Sequence, residues 1–228
     1  MRKIIISAVI FTMATFSAIA DKTNIGLKVT LANMDAGGTH STDLGTNNNG
    51  GPLVTESREA DFEMGSIFLE RQFEDVGSMD IAVGIDLVPF TAVIDKIGGG
   101  TGFDASVEIG NLMTAYVQPM FNVDDNVSLF LKAGWAQADL DIVSSSRQAQ
   151  ASGQANDTAG TDTSASKTLE GPMFGAGVQI GVGALLDFVR LEATMTDFDE
   201  ISHTNSNGKV LKADAELTQL SLSLVKSF

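Results

Sequence analysis

From residue 22 onward the chain alternates, and alternation restricts it to strands with two unlike faces. Ile25, Leu27, Val29 and Leu31 interleave with Gly26, Lys28, Thr30 and Ala32. Ile81, Val83, Ile85 and Leu87 interleave with Asp80, Ala82, Gly84 and Asp86. Phe174, Ala176, Val178, Ile180 and Val182 interleave with Gly175, Gly177, Gln179, Gly181 and Gly183. Val189, Leu191, Ala193 and Met195 interleave with Phe188, Arg190, Glu192 and Thr194. A period of two sends successive side chains to opposite faces of a strand, so each strand has one apolar face and one small or polar face. The pattern predicts eight strands, at about residues 23–35, 59–73, 79–91, 104–118, 126–143, 169–184, 187–200 and 210–228.

The connections carry a second signal. They run long, short, long, short, long, short, long. The long ones are expected at 36–58, 92–103, 144–168 and 201–209, and the short ones at 74–78, 119–125 and 185–186. Residues 144–167 are nearly free of apolar side chains and cannot bury a core of their own. Short turns at one end and long loops at the other are the rhythm of a barrel that spans an outer membrane. An even strand count then places both termini at the short-turn end, on the periplasmic side, with the long loops extracellular.

The first twenty residues stand apart. Arg2 and Lys3 precede an apolar stretch from Ile4 to Phe16, and Ala18-Ile19-Ala20 supplies small residues for cleavage. This predicts a cleaved signal peptide over 1–20 and one domain over 21–228. The apolar stretch is shorter than the roughly 20 residues of a spanning helix. Without Arg2 and Lys3, 12 basic residues face 29 acidic ones, a net charge of −17. Such a chain should repel nucleic acid. Cysteine is absent, which excludes disulfides and thiolate metal sites.

Alternation does not by itself say which face meets lipid. A soluble sandwich or lipocalin-like barrel would point its apolar face inward. Here the polar faces are rich in Gly, Ala and Ser, as a narrow interior requires. They also carry scattered charges of both signs, among them Lys28, Asp86, Glu108, Lys132, Arg190 and Glu192. An all-β, eight-stranded, antiparallel up-and-down transmembrane β-barrel accounts for both observations. Lipid offers backbone groups no partner, so strands cross it only in a closed barrel. Trp135, Tyr116, Phe121, Phe188 and Phe228 are expected to form a thin aromatic belt.

Two segments carry a family resemblance. The ending LTQLSLSLVKSF resembles the targeting strand of outer-membrane barrels, with Phe228 last and Leu220, Leu222 and Leu224 alternating before it. Lys226 departs from the usual aromatic or apolar residue. Residues 115 to 136, AYVQPMFNVDDNVSLFLKAGWA, resemble the central hairpin of the small OmpA/OmpX-type barrels through Tyr116, Pro119, Asp124, Asp125, Lys132 and Gly134. The resemblance implies a fold, an outer-membrane location and an assembly signal at Phe228, Leu224, Leu222 and Leu220 read by the barrel-assembly machinery. It implies no activity.

Arg190 and Glu192 lie two apart and should both point inward, where Lys132, Glu108, Asp86 and Gln118 are candidate partners. Buried charges must be paired, so a lumen network of Lys132, Arg190, Glu192, Glu108 and Asp86 is expected to plug the barrel. His40 and His203, beside Ser41 and Ser206, are the groups a lipid-modifying hydrolase would need, without that family's His-x-Ser spacing. Asp139 with Asp141, and Asp197 with Asp199 and Glu200, read as a solvated rim that could meet divalent cations. Gly98-Gly99-Gly100 reads as a loop. The expectation is a monomeric, non-enzymatic barrel with no cofactor or metal and a mostly sealed lumen, surrounded by outer-membrane lipid and lipopolysaccharide. The alternatives are a narrow pore or OmpW-like conduit for small molecules, and an outer-membrane lipid-modifying enzyme.

Overall fold

The computed structural model describes residues 22–41, 53–76, 78–99, 103–145, 165–183, 185–204 and 210–228. The expected signal peptide lies outside them. Nine strands form: β1 (Lys22–Ser41), β2 (Leu53–Val76), β3 (Met79–Leu87), β4 (Ala92–Gly99), β5 (Phe103–Asn122), β6 (Val127–Ser145), β7 (Ala165–Gly181), β8 (Phe188–Thr204) and β9 (Val210–Ser227). All pairings are antiparallel, in the order β3-β2-β1-β9-β8-β7-β6-β5-β4, and β3 also pairs with β5. That last pairing closes the sheet. Because β3 and β4 both lie along β5, they are two pieces of one stave, and the barrel has eight staves.

The third stave breaks where the chain cannot extend its ladder. Val88 still donates its N–H to Leu112 O at 2.8 Å. Pro89 then has no N–H to give and a fixed φ. Across the gap β5 carries a bulge between Gly110 and Met113, with Asn111 at φ 50°, a left-handed value that asparagine tolerates better than most residues. The strand resumes at Ala92, so the expected long loop at 92–103 is corrected. Residues 92–99 are strand, and Gly98 and Gly99 belong to it. The break has a cost on the other side. β2 pairs with β3 only from Ile67 to Val76, and above Ile67 that edge of β2 has no ladder partner among the described residues. The other strands also run past their expected ends, to Ser41, Ser145 and Thr204, so the loops are shorter than the composition of 36–58 and 144–168 suggested.

Both chain ends meet at the short-turn end. Thr23 and Phe228 exchange backbone hydrogen bonds, at 3.0 Å from Thr23 N–H to Phe228 O and 2.9 Å in return. The 182–187 turn is held there too. Asp187 accepts the Ser227 N–H at 2.7 Å, and its Oδ2 lies 3.0 Å from the Lys226 Nζ. The Ser227 backbone donor, then Lys226, holds this exposed carboxyl below its ordinary range.

The faces are sorted as a membrane requires. Leu27, Leu31, Leu131, Phe174, Leu191, Leu220 and Leu222 point outward and exposed, Leu27 at 60%. A tilted strand needs about 9–11 residues to cross hydrocarbon, and every stave is long enough for that. No helix among the described residues is long and apolar enough to cross a membrane, so the strands are the crossing elements.

Candidate functional site

The barrel interior is the site to which the sequence pointed, and it is divided into two layers. In the half nearest the short turns it is polar. Three ion pairs link Lys28 with Asp86, Lys28 with Glu192 at 3.2 Å, and Lys132 with Glu192 at 2.5 Å. Beside them Arg190 forms a two-pronged pair with Glu70, one prong at 2.9 Å. Glu70 also accepts from Tyr116 Oη at 3.0 Å and Asn24 Nδ2 at 2.8 Å, while Arg190 Nε donates to Gln179 Oε1 at 2.6 Å. The network holds three cations and three carboxylates. That balance is what burial demands, since an unpaired charge in a low dielectric costs several kcal/mol.

Aromatic rings close the space between these groups. The Lys132 Nζ lies 4.3 Å from the Tyr116 ring centre, and the Arg190 guanidinium lies 5.4 Å from Phe68 and 5.9 Å from Phe130. The Tyr116 ring lies flat against its neighbour β3, and only glycine fits beneath it. A Cβ at Gly84 would stand 2.5 Å from Tyr116 Cζ. Nearer the short turns, Asp80 accepts from Gln72 Nε2 at 3.3 Å, Asn122 Nδ2 at 3.4 Å and the Asp75 N–H at 3.1 Å.

Above the charges the lining turns apolar. Ala32, Met34, Met64, Val88, Ile109, Leu112, Ala136, Ala138, Leu169, Phe198, Ala215 and Leu217 form one buried cluster. Between the two layers lies a cavity of about 10 Å³, lined in part by Lys28, Asp86, Val88, Leu112 and Gln219, with room for about one water molecule. Asp86 Oδ1, in that lining, has no hydrogen-bond partner among the described residues.

Outside, the polarity runs the other way. On β1, Ile25 to Leu31 face lipid, whereas Asn33 and Asp35 occupy the same face above them. On β9, Leu220 to Leu224 give way to Thr218, Glu216 and Asp214, and on β8 Leu191 and Met195 give way to Asp197 and Asp199. Register aligns Glu59, Asp35, Glu216 and Asp197 as four neighbouring outward carboxylates on β2, β1, β9 and β8. On these four strands inside and outside exchange character toward the long connections.

Of the residues expected in the lumen, Lys132, Glu192 and Asp86 are joined through Lys28, and Arg190 sits in the adjoining layer. Arg190 takes Glu70 as its partner, rather than Glu192 two residues along. Glu108 is a correction: Ile109 is buried inside, the Asn111 bulge having shifted the phase of β5, and Glu108 lies opposite Asp141 on the outer face. Tyr116, expected in the aromatic belt, is buried against Glu70 instead. Trp135, Phe121 and Phe228 are exposed on the outside. Glu70 escaped the sequence reading because Phe68 faces inward, making Ile67-Phe68-Leu69 a continuous apolar run that hides the phase of β2. Leu220, Leu222 and Leu224 all face outward. His40 and His203 lie on β1 and β8, each in register with Leu211 of the strand between, and Ser206 lies outside the described residues. Among the described residues no three His, Asp or Glu side chains converge as metal ligands would.

The chain is an eight-stranded β-barrel of the outer-membrane type. Comparison with solved structures returns bacterial surface and outer-membrane proteins. One is Neisserial surface protein A, 14% identical with a TM-score of 0.47, covering 90% of this chain and 97% of that one. Another is Ail, the attachment invasion locus protein of Yersinia pestis, 11% identical with a TM-score of 0.39 and the same coverage. A third is the outer membrane protease OmpT of Escherichia coli, 9% identical with a TM-score of 0.46, again covering 90% and 97%. No protein-family model and no curated protein matches the sequence.

Proposed function

We propose that the protein is a sealed, non-enzymatic barrel of the bacterial outer membrane, with a structural or surface-interaction role exerted by the half that carries the long connections. The observation that carries this reading is the double filling of the interior. A permeating ion would have to displace the Asp86–Lys28–Glu192–Lys132 chain and then enter an apolar plug. Eight-stranded barrels have interiors just wide enough for their own side chains to fill. Termini and short turns then face the periplasm and the loops the medium. Phe228 and the outward Leu220, Leu222 and Leu224 serve as the assembly signal. Planar-bilayer recording tests the seal: no discrete conductance steps are expected, and steady single-channel currents from the pure protein would overturn it.

One observation favours a second reading, a conduit for small apolar molecules. The interior toward the long connections is apolar, and beside it the β2 edge beyond Ile67 has no ladder partner among the described residues. Uptake of a radiolabelled alkane into vesicles containing the barrel, faster than into protein-free vesicles, would put this reading first.

A further inference from the structure

At the short-turn end, side chains from six of the eight staves form a hydrogen-bonded girdle around the mouth of the lumen. One arm starts on the last strand. Ser227 Oγ on β9 donates to Asn24 Oδ1 on β1 at 2.5 Å, and Asn24 Nδ2 donates to Gln72 Oε1 on β2 at 3.0 Å. Gln72 Nε2 then donates to Asp80 Oδ2 on β3 at 3.3 Å. The other arm starts on β6, where Ser128 Oγ donates to Asn122 Oδ1 on β5 at 2.7 Å. Asn122 Nδ2 passes to the same Asp80 Oδ2 at 3.4 Å. The second Asp80 oxygen accepts the N–H of Asp75, a turn residue at φ 56°, at 3.1 Å. On the two remaining staves, Gln179 is in register with both Ser128 and Arg190 and accepts from the Arg190 Nε.

We propose that this girdle is a gate between the short-turn mouth and the charged layer, held shut by the Asp80 carboxylate. The sense of its bonds carries the inference. An ionised carboxylate only accepts, so Gln72 and Asn122 must turn their amide nitrogens toward Asp80 and their oxygens away. That leaves Asn24 and the two serines one direction each, and every donor in both arms points toward Asp80. Chains aligned in this way polarise one another and strengthen together. Asn24, Gln72, Asp80 and Ser128 are buried. Asn24 Nδ2 also donates to Glu70 at 2.8 Å, which ties the girdle to the Glu70–Arg190 pair. Glu70, Asp86 and Glu192 each hold a cation, whereas Asp80 accepts from neutral donors among the described residues. Its charge is therefore free to orient the arms. The gate deepens the sealed-barrel reading, and the two can fail separately: conductance judges the seal, and access to the layer behind the girdle judges the gate.

The test is thiol access in the folded barrel. The chain has no cysteine, so Ala82→Cys supplies a single thiol. Ala82 is fully buried, on the same inward face as Asp80 and in register between Gln72 and Gln118. In detergent, a charged methanethiosulfonate should modify it far more slowly than a thiol placed by Asp125→Cys in the exposed turn. Adding Asp80→Asn sets an amide donor against the donors of the arms. It should raise the rate at residue 82 at least about tenfold, the factor expected from one lost hydrogen bond to a charged group. Adding Gln72→Glu as well returns one carboxylate to the girdle and gives the new amide an acceptor, so the rate should fall again. Asn122→Leu cuts the short arm alone, at an exposed position, and should raise the rate less. Heat-modifiable gel migration identifies the folded barrels to be compared, and if Asp80→Asn does not fold, Asn122→Leu decides. Modification of Ala82→Cys as fast as Asp125→Cys would overturn the proposal, as would a rate indifferent to Asp80→Asn or to Asn122→Leu. A rise that Gln72→Glu does not reverse would overturn it too, because Asp80 would then fill space rather than orient the arms.

Discussion

The half of the barrel near the short turns and the half near the long connections are built from the same strands with opposite sorting rules. Near the turns Leu27 and Leu222 face outward while Lys28 and Ser221 face in. Further along the same strands, Asp35 and Glu216 face outward while Met34 and Leu217 face in. The backbone does not change between the two halves; the surrounding solvent does. In hydrocarbon an outward leucine costs nothing and an outward carboxylate is expensive, whereas in water the apolar group gains by withdrawal. The level of exchange therefore marks where the barrel leaves the membrane. Beyond it the protein is organised like a small soluble barrel with an apolar core. Each half also has its own source of rigidity, paired charges in one and close-packed side chains in the other.

The largest expected effect comes from unbalancing the charged half. Arg190→Leu should lower unfolding stability in urea by about 3–5 kcal/mol, because Glu70 is left buried with only neutral donors. Combining it with Glu70→Gln should recover part of the loss. A loss of under about 1 kcal/mol would show that water reaches Glu70, and the contrast with the apolar half would collapse.

In the other half Leu217 is fully buried. Leu217→Ala should cost about 2–5 kcal/mol in the same assay, as removal from a close-packed core does. The same change at lipid-facing Leu222 should cost much less.

The boundary itself can be probed along β9. Leu222→Arg, in the apolar belt, should cost up to about 2–4 kcal/mol, depending on its depth in the bilayer. Glu216→Arg, six residues away on the same face, should lie within about 0.5 kcal/mol of the wild type. Equal penalties would place both residues in lipid and erase the proposed level.

The smallest effect concerns the latch outside the membrane. Since Asp187 is held below its ordinary range in the folded protein, its contribution is present above the unfolded value, about 3.9, and is lost as pH falls through the lower folded one. The urea midpoints of wild type and Asp187→Asn should differ at pH 7 and converge at about pH 2. A gap that widened on acidification would contradict the hydrogen bond from Ser227.

Much of this was legible in the residues. Period-two alternation located every stave, and the Gly- and Ala-rich faces pointed to the interior. The exchange of polarity is itself written along residues 24–35, where Leu31 is followed by Asn33 and Asp35 on one face and Thr30 by Ala32 and Met34 on the other. What alternation cannot carry is phase across an irregularity. The bulge at Asn111 turned Glu108 outward, and Pro89 split the third stave without ending it. Nor can it carry partnership. Arg190 reaches Glu70, which is 120 residues away in the chain, because the closed sheet curves β2 and β8 toward a common axis.

The sequence by itself determined that the chain forms strands, how many staves there are, and which face of most of them is apolar, because those follow from local spacing and side-chain chemistry. The tertiary structure alone decided which charges neutralise one another, that Tyr116 belongs to the lumen, and that Glu59, Asp35, Glu216 and Asp197 stand side by side on the outer face. Those depend on register around a closed barrel, where a shift of one residue moves a side chain from lipid to lumen.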